Sequence, residues 1–265
     1  VGSDNKHSLE KISDFWESAL GVEVIKINSY KGAEITKLAN NLWIDLNIAL
    51  ANSISLVCSE NNIDVNEVIY AANSLPKGSS KVNILNSSIG VGGSCLTKDP
   101  IFFANLLDEI NQDSNLIRAA RKVNEAMPSI YLKKVADWIE DINIKNPTIS
   151  LVGLAFKNDT NDLRFSPMIE IYQRLENDFS ILLHDPYVTE ESFGNSVSKN
   201  VKFNTLKECL TMSDIIVMGC PHKEFKEKEI KNFLELNKKT NVLFVDGRHA
   251  YRSLNLNSNI DYLAV

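Results

Sequence analysis

The segment GVGGSCLTKDP, residues 90–100, sets one cysteine, Cys95, directly after a cluster of glycines and four residues ahead of Asp99. Gly90, Gly92 and Gly93 permit positive φ and close approach of backbone to a ligand, so the thiol is offered to whatever binds the loop. A helix expected to open at Pro100 would turn its partial positive charge toward the sulfur. A sulfur so placed is a candidate nucleophile. Cys58, Cys209 and Cys220 lie in regular apolar patterns and read as small buried hydrophobes. Asp99 keeps an ordinary alternative, because Asp-Pro is a common helix cap followed by proline at the first helical position.

Two further polar residues stand out. Lys37 and Asn41 are four apart in an apolar helical pattern and therefore share a face. They could donate hydrogen bonds to a developing oxyanion; a solvated stripe on a long helix is the plainer reading of the pair taken alone.

The elements that must carry these groups follow from periodicity. Residues 1–28 read as a short helix from Ser8 to Leu20 and a strand, VEVIKIN, with an opening that resembles the end of a strand from an upstream domain. Lys31 to Asn62 predicts one long helix, apolar enough to be buried on most sides. Asp64 suits the cap of a second helix. Residues 76–98, rich in Gly and Ser, predict a long loop. Helical patterns resume at Pro100–Asn111 and Leu116–Ile142, where Pro128 should kink or split the second. After Asn143–Pro147 the period changes: TISLVGLAF, SILLHDP, DIIVMGC and NVLFVDGR alternate with amphipathic helices, which predicts a doubly wound parallel sheet. Ligands of such sheets bind at the carboxyl ends of the strands, here GLAFK, HDP, GCPH and DGR.

A hydrophobic fraction of 44% and a charged fraction of 23% suit a globular protein with a sizeable core. The net charge of −6 argues against a nucleic-acid surface. No apolar run reads as a membrane span, and no secretory segment is visible, so a cytoplasmic location is expected. The four cysteines and four histidines are scattered without metal-ligand or disulfide-framework spacing, so no metal is expected.

Taken together and in order, these pieces resemble the UDP-glucose/GDP-mannose dehydrogenase superfamily. AEITKLANN is similar to its helix motif, KVNILNSSIGVGGSCLTKDP to its active-site loop, and GLAFKNDTNDLRFSP to the first strand and phosphate-contacting turn of its C-terminal domain. The joint pattern overrides the plainer readings of the single residues. It implies an all-helical dimerisation domain (29–146) followed by a doubly wound, Rossmann-like nucleotide-binding domain (147–265). Residues 1–28 would be a remnant of an N-terminal NAD-binding domain, whose GxGxxG fingerprint is absent, as are the glutamate and threonine that domain contributes. A truncated chain is the expectation.

The resemblance further implies an NAD-dependent four-electron oxidation of a sugar C6 alcohol to the carboxylate through a Cys95 thiohemiacetal and thioester. Lys37 and Asn41 would stabilise the oxyanion, at about 3 kcal/mol per donor, and Asp99 would act around the thiol and water. Substrate contacts would come from Phe156, Lys157, Gly92, Gly93 and Arg248, with Lys81 reaching a neighbouring subunit's substrate. Arg164 would face the cofactor. KVNI with GVGG is most like enzymes of UDP-N-acetylhexosamines (UDP-ManNAc or UDP-GlcNAc); SCLTKD is nearer the UDP-glucose and GDP-mannose branches. Lys81 replaces the usual arginine, Ser87-Ser88 a Pro-Gly, Ser94 a histidine, and Phe165 a glutamate. The partners implied are a UDP-sugar and a second copy of the chain, joined through the long helix. Two other readings compete: a non-catalytic dimerisation and nucleotide-binding module, and a β-hydroxyacid dehydrogenase, which needs no cysteine.

Overall fold

The computed structural model describes residues 1–78 and 80–265. Helix α1 (Lys6–Leu20) is capped by Asn5 and ends at left-handed Gly21. The strand expected at 22–28 does not form; only an isolated parallel bridge joins Ile27 to Gly2, because no neighbouring strand among the described residues extends the ladder. Helix α2 (Tyr30–Glu60) starts where the Ser29 side chain accepts from Gly32 N. Helix α3 (Val65–Ser74) is capped by Asp64, as its sequence predicts. The loop expected after it is interrupted by a short antiparallel pair, β1 (Pro76–Lys77) and β2 (Ser80–Lys81). Helix α4 (Ser94–Glu109) begins six residues before Pro100, which lies inside it. As the seventh residue of α4, Pro100 has no N–H to give the carbonyl of Leu96, which accepts from Arg121 Nη1 at 3.3 Å instead. Helix α5 (Asn115–Ile142) neither splits nor stops at Pro128, and ends at left-handed Asn143.

The second half is β3 (Thr148–Val152), α6 (Pro167–Leu175), β4 (Ser180–His184), α7 (Glu190–Val197), α8 (Leu206–Met212), β5 (Ile215–Met218), α9 (Glu227–Glu235), β6 (Val242–Asp246) and β7 (Ile260–Leu263). The five strands form one sheet, ordered β4-β3-β5-β6-β7, with every pairing parallel. Alternate residues serve opposite faces. Leu151, Val217 and Val245 pack with Met168 and Ile171 of α6, while Val152, Ile216 and Phe244 pack with Leu210 of α8 and Ile230 of α9. Near-continuous apolar strands follow from burial on both sides.

Helix α5 links the two halves. Its first turns lie against α2 and α4, and its Met127, Tyr131 and Val135 enter the core on one face of the sheet. Helix α2 is less buried than its sequence suggests. Asn41, Asp45, Asn52 and Ser55 point inward, whereas Trp43, Leu50 and Val57 stand about half exposed or more along the opposite side. Its mean hydropathy of 1.4 would by length and composition suit a membrane span, contrary to expectation. Its polar face, with Asn41, Asp45, Asn52 and Ser55, is buried against α4 and α5.

Candidate active site

Cys95 occupies the first turn of α4 and is the one exposed cysteine of the four. Burial pushes the Cys209 and Cys220 thiols up to about 12, which leaves both protonated and unreactive. Lys98 lies one turn along α4 from Cys95, and the carbonyl of Arg164 accepts the N–H of Gly93, two residues before Cys95, at 2.9 Å. Lys98 carried no sequence signal beyond its place in the loop motif.

Asp99 does not cap a helix. It lies within α4, buried, and its Oδ2 accepts from Asn41 Nδ2 at 2.6 Å while Oδ1 accepts from Lys98 Nζ at 2.8 Å. Burial works to raise its pKa, but the hydrogen bonds from Lys98 and Asn41 prevail and hold the carboxyl below its usual range. Asn41 Oδ1 in turn accepts from Lys37 Nζ at 3.1 Å. Lys37, Asn41 and Asp99 therefore form one chain, as the shared helix face predicted for the first two. The Asn41 amide donor is engaged with Asp99, so the exposed Lys37 ammonium is the group of the pair free to turn toward an oxyanion.

A buried polar frame supports this turn. Arg121 Nη1 on α5 reaches Asp45 Oδ1 on α2 at 2.5 Å and the carbonyl of Leu96, next to Cys95, at 3.3 Å. Asn124 donates to Asp45 Oδ1 and accepts from Asn52, whose Oδ1 takes the N–H of Ser88 in the loop. Burial raises the Asp45 carboxyl despite Arg121 and Asn124. The sequence reading missed this frame. Its signal was Asp45 itself, which continues the four-residue spacing of Lys37 and Asn41 into an apolar run.

The loop glycines serve the protein's own packing. Gly93 has φ 88°, donates its N–H to Arg164 O, and a Cβ there would come within 2.5 Å of the Phe156 ring. Gly92 is hemmed in by Phe156 and by the carbonyl of Phe165, without positive φ. Gly93→Ala is therefore expected to destabilise the fold by about 1–3 kcal/mol and shift the loop off Phe156, read as a lowered melting temperature and slower Cys95 alkylation.

The remaining candidates divide. Lys157 is exposed on the turn after β3. Arg248 is not a surface cation: its Nη2 donates to Phe156 O at 3.2 Å, its Nε is buried without a partner, and burial lowers its pKa. Arg164 is largely exposed and paired with Asp162 at 2.6 Å. Phe165 is 68% exposed with φ 54°. With Lys98 and Arg121, these two line a cleft of about 910 Å³ between α5, α6 and α7. Cys95 and Lys37 do not line it, though Thr97 and Lys98 do. Lys81 is exposed on β2, and no contact among the described residues brings it to the Cys95 group.

Comparison with known proteins bears on the family of the chain. Residues 31–126 match the family model for the UDP-glucose/GDP-mannose dehydrogenase family, central domain, and residues 150–253 the one for its UDP binding domain. A UDP-N-acetyl-D-mannosamine dehydrogenase of Campylobacter jejuni is 37% identical over 207 residues, covering 77% of this chain and 48% of that protein. An NDP-N-acetyl-D-galactosaminuronic acid dehydrogenase of Ralstonia nicotianae is 34% identical over 203 residues, covering 76% and 45%. The solved UDP-D-ManNAc dehydrogenase of Pyrococcus horikoshii superposes with a TM-score of 0.78 at 28% identity, over 98% of this chain and 58% of that one. The chain spans about half the length of the curated relatives it matches.

Proposed function

Because this chain belongs to the UDP-glucose/GDP-mannose dehydrogenase family, we propose that it supplies the thiol and nucleotide site of an NAD-dependent UDP-N-acetylhexosamine 6-dehydrogenase. The product would be a uronic acid destined for surface polysaccharide. Residues 29–146 would be the helical dimerisation domain and 147–265 the UDP-sugar domain. The observation that carries the reading is the exposed Cys95, one turn from the Lys37–Asn41–Asp99 chain. Two relatives named for N-acetylated sugars support an N-acetylhexosamine over UDP-glucose or GDP-mannose.

The residues fit one end of the cofactor. Arg164 offers an exposed guanidinium beside the Cys95 loop, while no GxGxxG turn lies within the chain. NAD, when bound, would accept one hydride from C6 in each of the two oxidations, two molecules serving each sugar. The protein's own part is nucleophilic. Cys95 Sγ adds to the C6 aldehyde, forming a C–S bond as the thiol proton passes to the carbonyl oxygen, which accepts a hydrogen bond from Lys37. After the second oxidation the sulfur holds an acyl group. Water adds to that carbonyl, the C–S bond breaks, and the carboxylate leaves as the thiol recovers its proton. Asp99, buried against Asn41, keeps this end of α4 on α2. Lys157 and Phe156 would hold the nucleotide end, with Arg248 supporting the Phe156 carbonyl. The four free cysteines agree with a cytoplasmic setting.

The test is direct. This chain should bind UDP, and the complete protein containing it should form two NADH per UDP-N-acetylhexosamine, with UDP-glucose and GDP-mannose turned over at least tenfold more slowly. Equal rates on UDP-glucose would overturn the sugar assignment. Binding of UDP with no turnover by the complete protein would favour the non-catalytic module.

The same reading includes a homodimer through α2. Trp43, Leu50 and Val57, spaced by seven, form an exposed apolar stripe suited to a second copy. Leu50→Glu is expected to weaken the dimer about 100-fold, since each interface would bury two added charges. Sedimentation velocity across a concentration series reads this as a shift to monomer.

A further inference from the structure

Two strand-end motifs, HDP after β4 and GCPH after β5, lie at the binding edge of the sheet, and the function above uses neither. Both reach inward. The side chains of Asp185 and His222 are fully buried, with His222 Nε2 and Asp185 Oδ2 at 3.0 Å. Asp185 also accepts the N–H groups of Leu154 and Ala155 on one oxygen and of Tyr187 and Val188 on the other. The other ring nitrogen of the histidine, Nδ1, lies 2.9 Å from the N–H of Asp159.

A backbone N–H can only donate, so Nδ1 must present its lone pair. The ring hydrogen then sits on Nε2 and donates to Asp185. That defines one tautomer of a neutral imidazole, with both nitrogens used. The ring thereby holds the turn that follows β3. Asp159, at φ 57°, returns a bond by accepting Lys223 N at 2.9 Å, and Asn158 Oδ1 accepts from the Cys220 thiol at 3.0 Å. Lys157, whose carbonyl accepts from Thr160 Oγ1, stands exposed on this pinned turn.

We propose that His222 and Asp185 are positioning residues for nucleotide binding, fixing the 156–160 turn so that Lys157 meets the diphosphate. This rests on the assignment of Lys157 to the substrate phosphate. A loop lysine held by a rigid base binds more tightly than a free one, because its backbone ordering cost is already met on folding.

Calorimetry with UDP on this chain, together with amide hydrogen exchange at residues 157–160, tests the proposal. His222→Phe keeps the ring volume but loses both hydrogen bonds. It should weaken UDP about tenfold and expose the Asp159 amide to exchange. His222→Gln carries one acceptor and one donor, as the neutral imidazole does, and should recover most of the affinity and the protection. A merely structural role would not be rescued in this way. Phe and Gln variants with equal affinity, or an Asp159 amide equally protected in both, would overturn the inference. If the wild-type chain fails to bind UDP, the functional assignment of Lys157 falls, while exchange at Asp159 still decides whether His222 holds the turn. If His222→Phe does not fold, a UDP titration of the wild-type chain decides. Movement of the His222 ring-nitrogen resonances together with the Lys157 amide supports the coupling, and a silent ring overturns it.

Discussion

Cys95→Ala in the complete protein is expected to lower formation of the carboxylate by about 10⁴-fold or more, the scale on which removal of a covalent nucleophile acts. UDP affinity should stay as it was, because Cys95 lies on the first turn of α4, whereas the proposed nucleotide contacts lie on the turns after β3 and β6. Without the sulfur no acyl link forms, so NADH per sugar should fall from two toward one as oxidation halts at the aldehyde. The chain alone offers a simpler measure. Iodoacetamide should label Cys95 well before Cys58, Cys209 and Cys220, which are buried. A variant that still formed two NADH per sugar at the parent rate would remove the thiol from the mechanism and favour a hydroxyacid-type chemistry.

Arg121→Ala should cost about 3–5 kcal/mol of stability, the range for a buried charge stripped of its partner. Asp45 would then be left in the interior with only the amide of Asn124 for compensation. For a chain of this size that corresponds to a fall in melting temperature of about 10 °C. The sign of the pH dependence follows from Asp45. Burial places its folded pKa above the unfolded value, so the native state holds the proton more tightly. Stability associated with this group is therefore greatest at acid pH and is lost as pH rises through that window. Without Arg121 the folded pKa should climb further, so the deficit of the variant should be smaller near pH 5 than at pH 7. Replacing both partners, Asp45→Leu with Arg121→Met, should recover much of the stability, since neither charge is then stranded. Equal melting curves for Arg121→Ala and the parent at both pH values would show that the pair does not carry this part of the fold.

The two effects concern neighbouring atoms. Arg121 holds Leu96 O, and Leu96 follows Cys95, so the ion pair that ties α5 to α2 also sets where the sulfur-bearing turn begins. Activity lost in Arg121→Ala is thus expected to exceed what the unfolded fraction alone explains.

Much of this molecule can be read from its residues in order. Short continuous apolar runs between amphipathic segments specify a parallel sheet, because strands covered on both faces need no polar alternation. The spacing of Lys37 and Asn41 specifies a shared helix face, and the surroundings of Cys95 single it out among four cysteines. These are local properties, carried by apolar runs and the 3.6-residue period within one segment. The tertiary structure decided the rest. Asp99, for which a cap was the plainer alternative, is an acceptor for Asn41, 58 residues away. Gly93 looked like room for a ligand and is room for Phe156. Arg121, Asp45, His222 and Asp185 carried little signal, since an ionisable residue in an apolar stretch shows that a partner is needed without naming it. Such pairings depend on which helices and strand ends meet, and that is set by packing α5 against both halves at once.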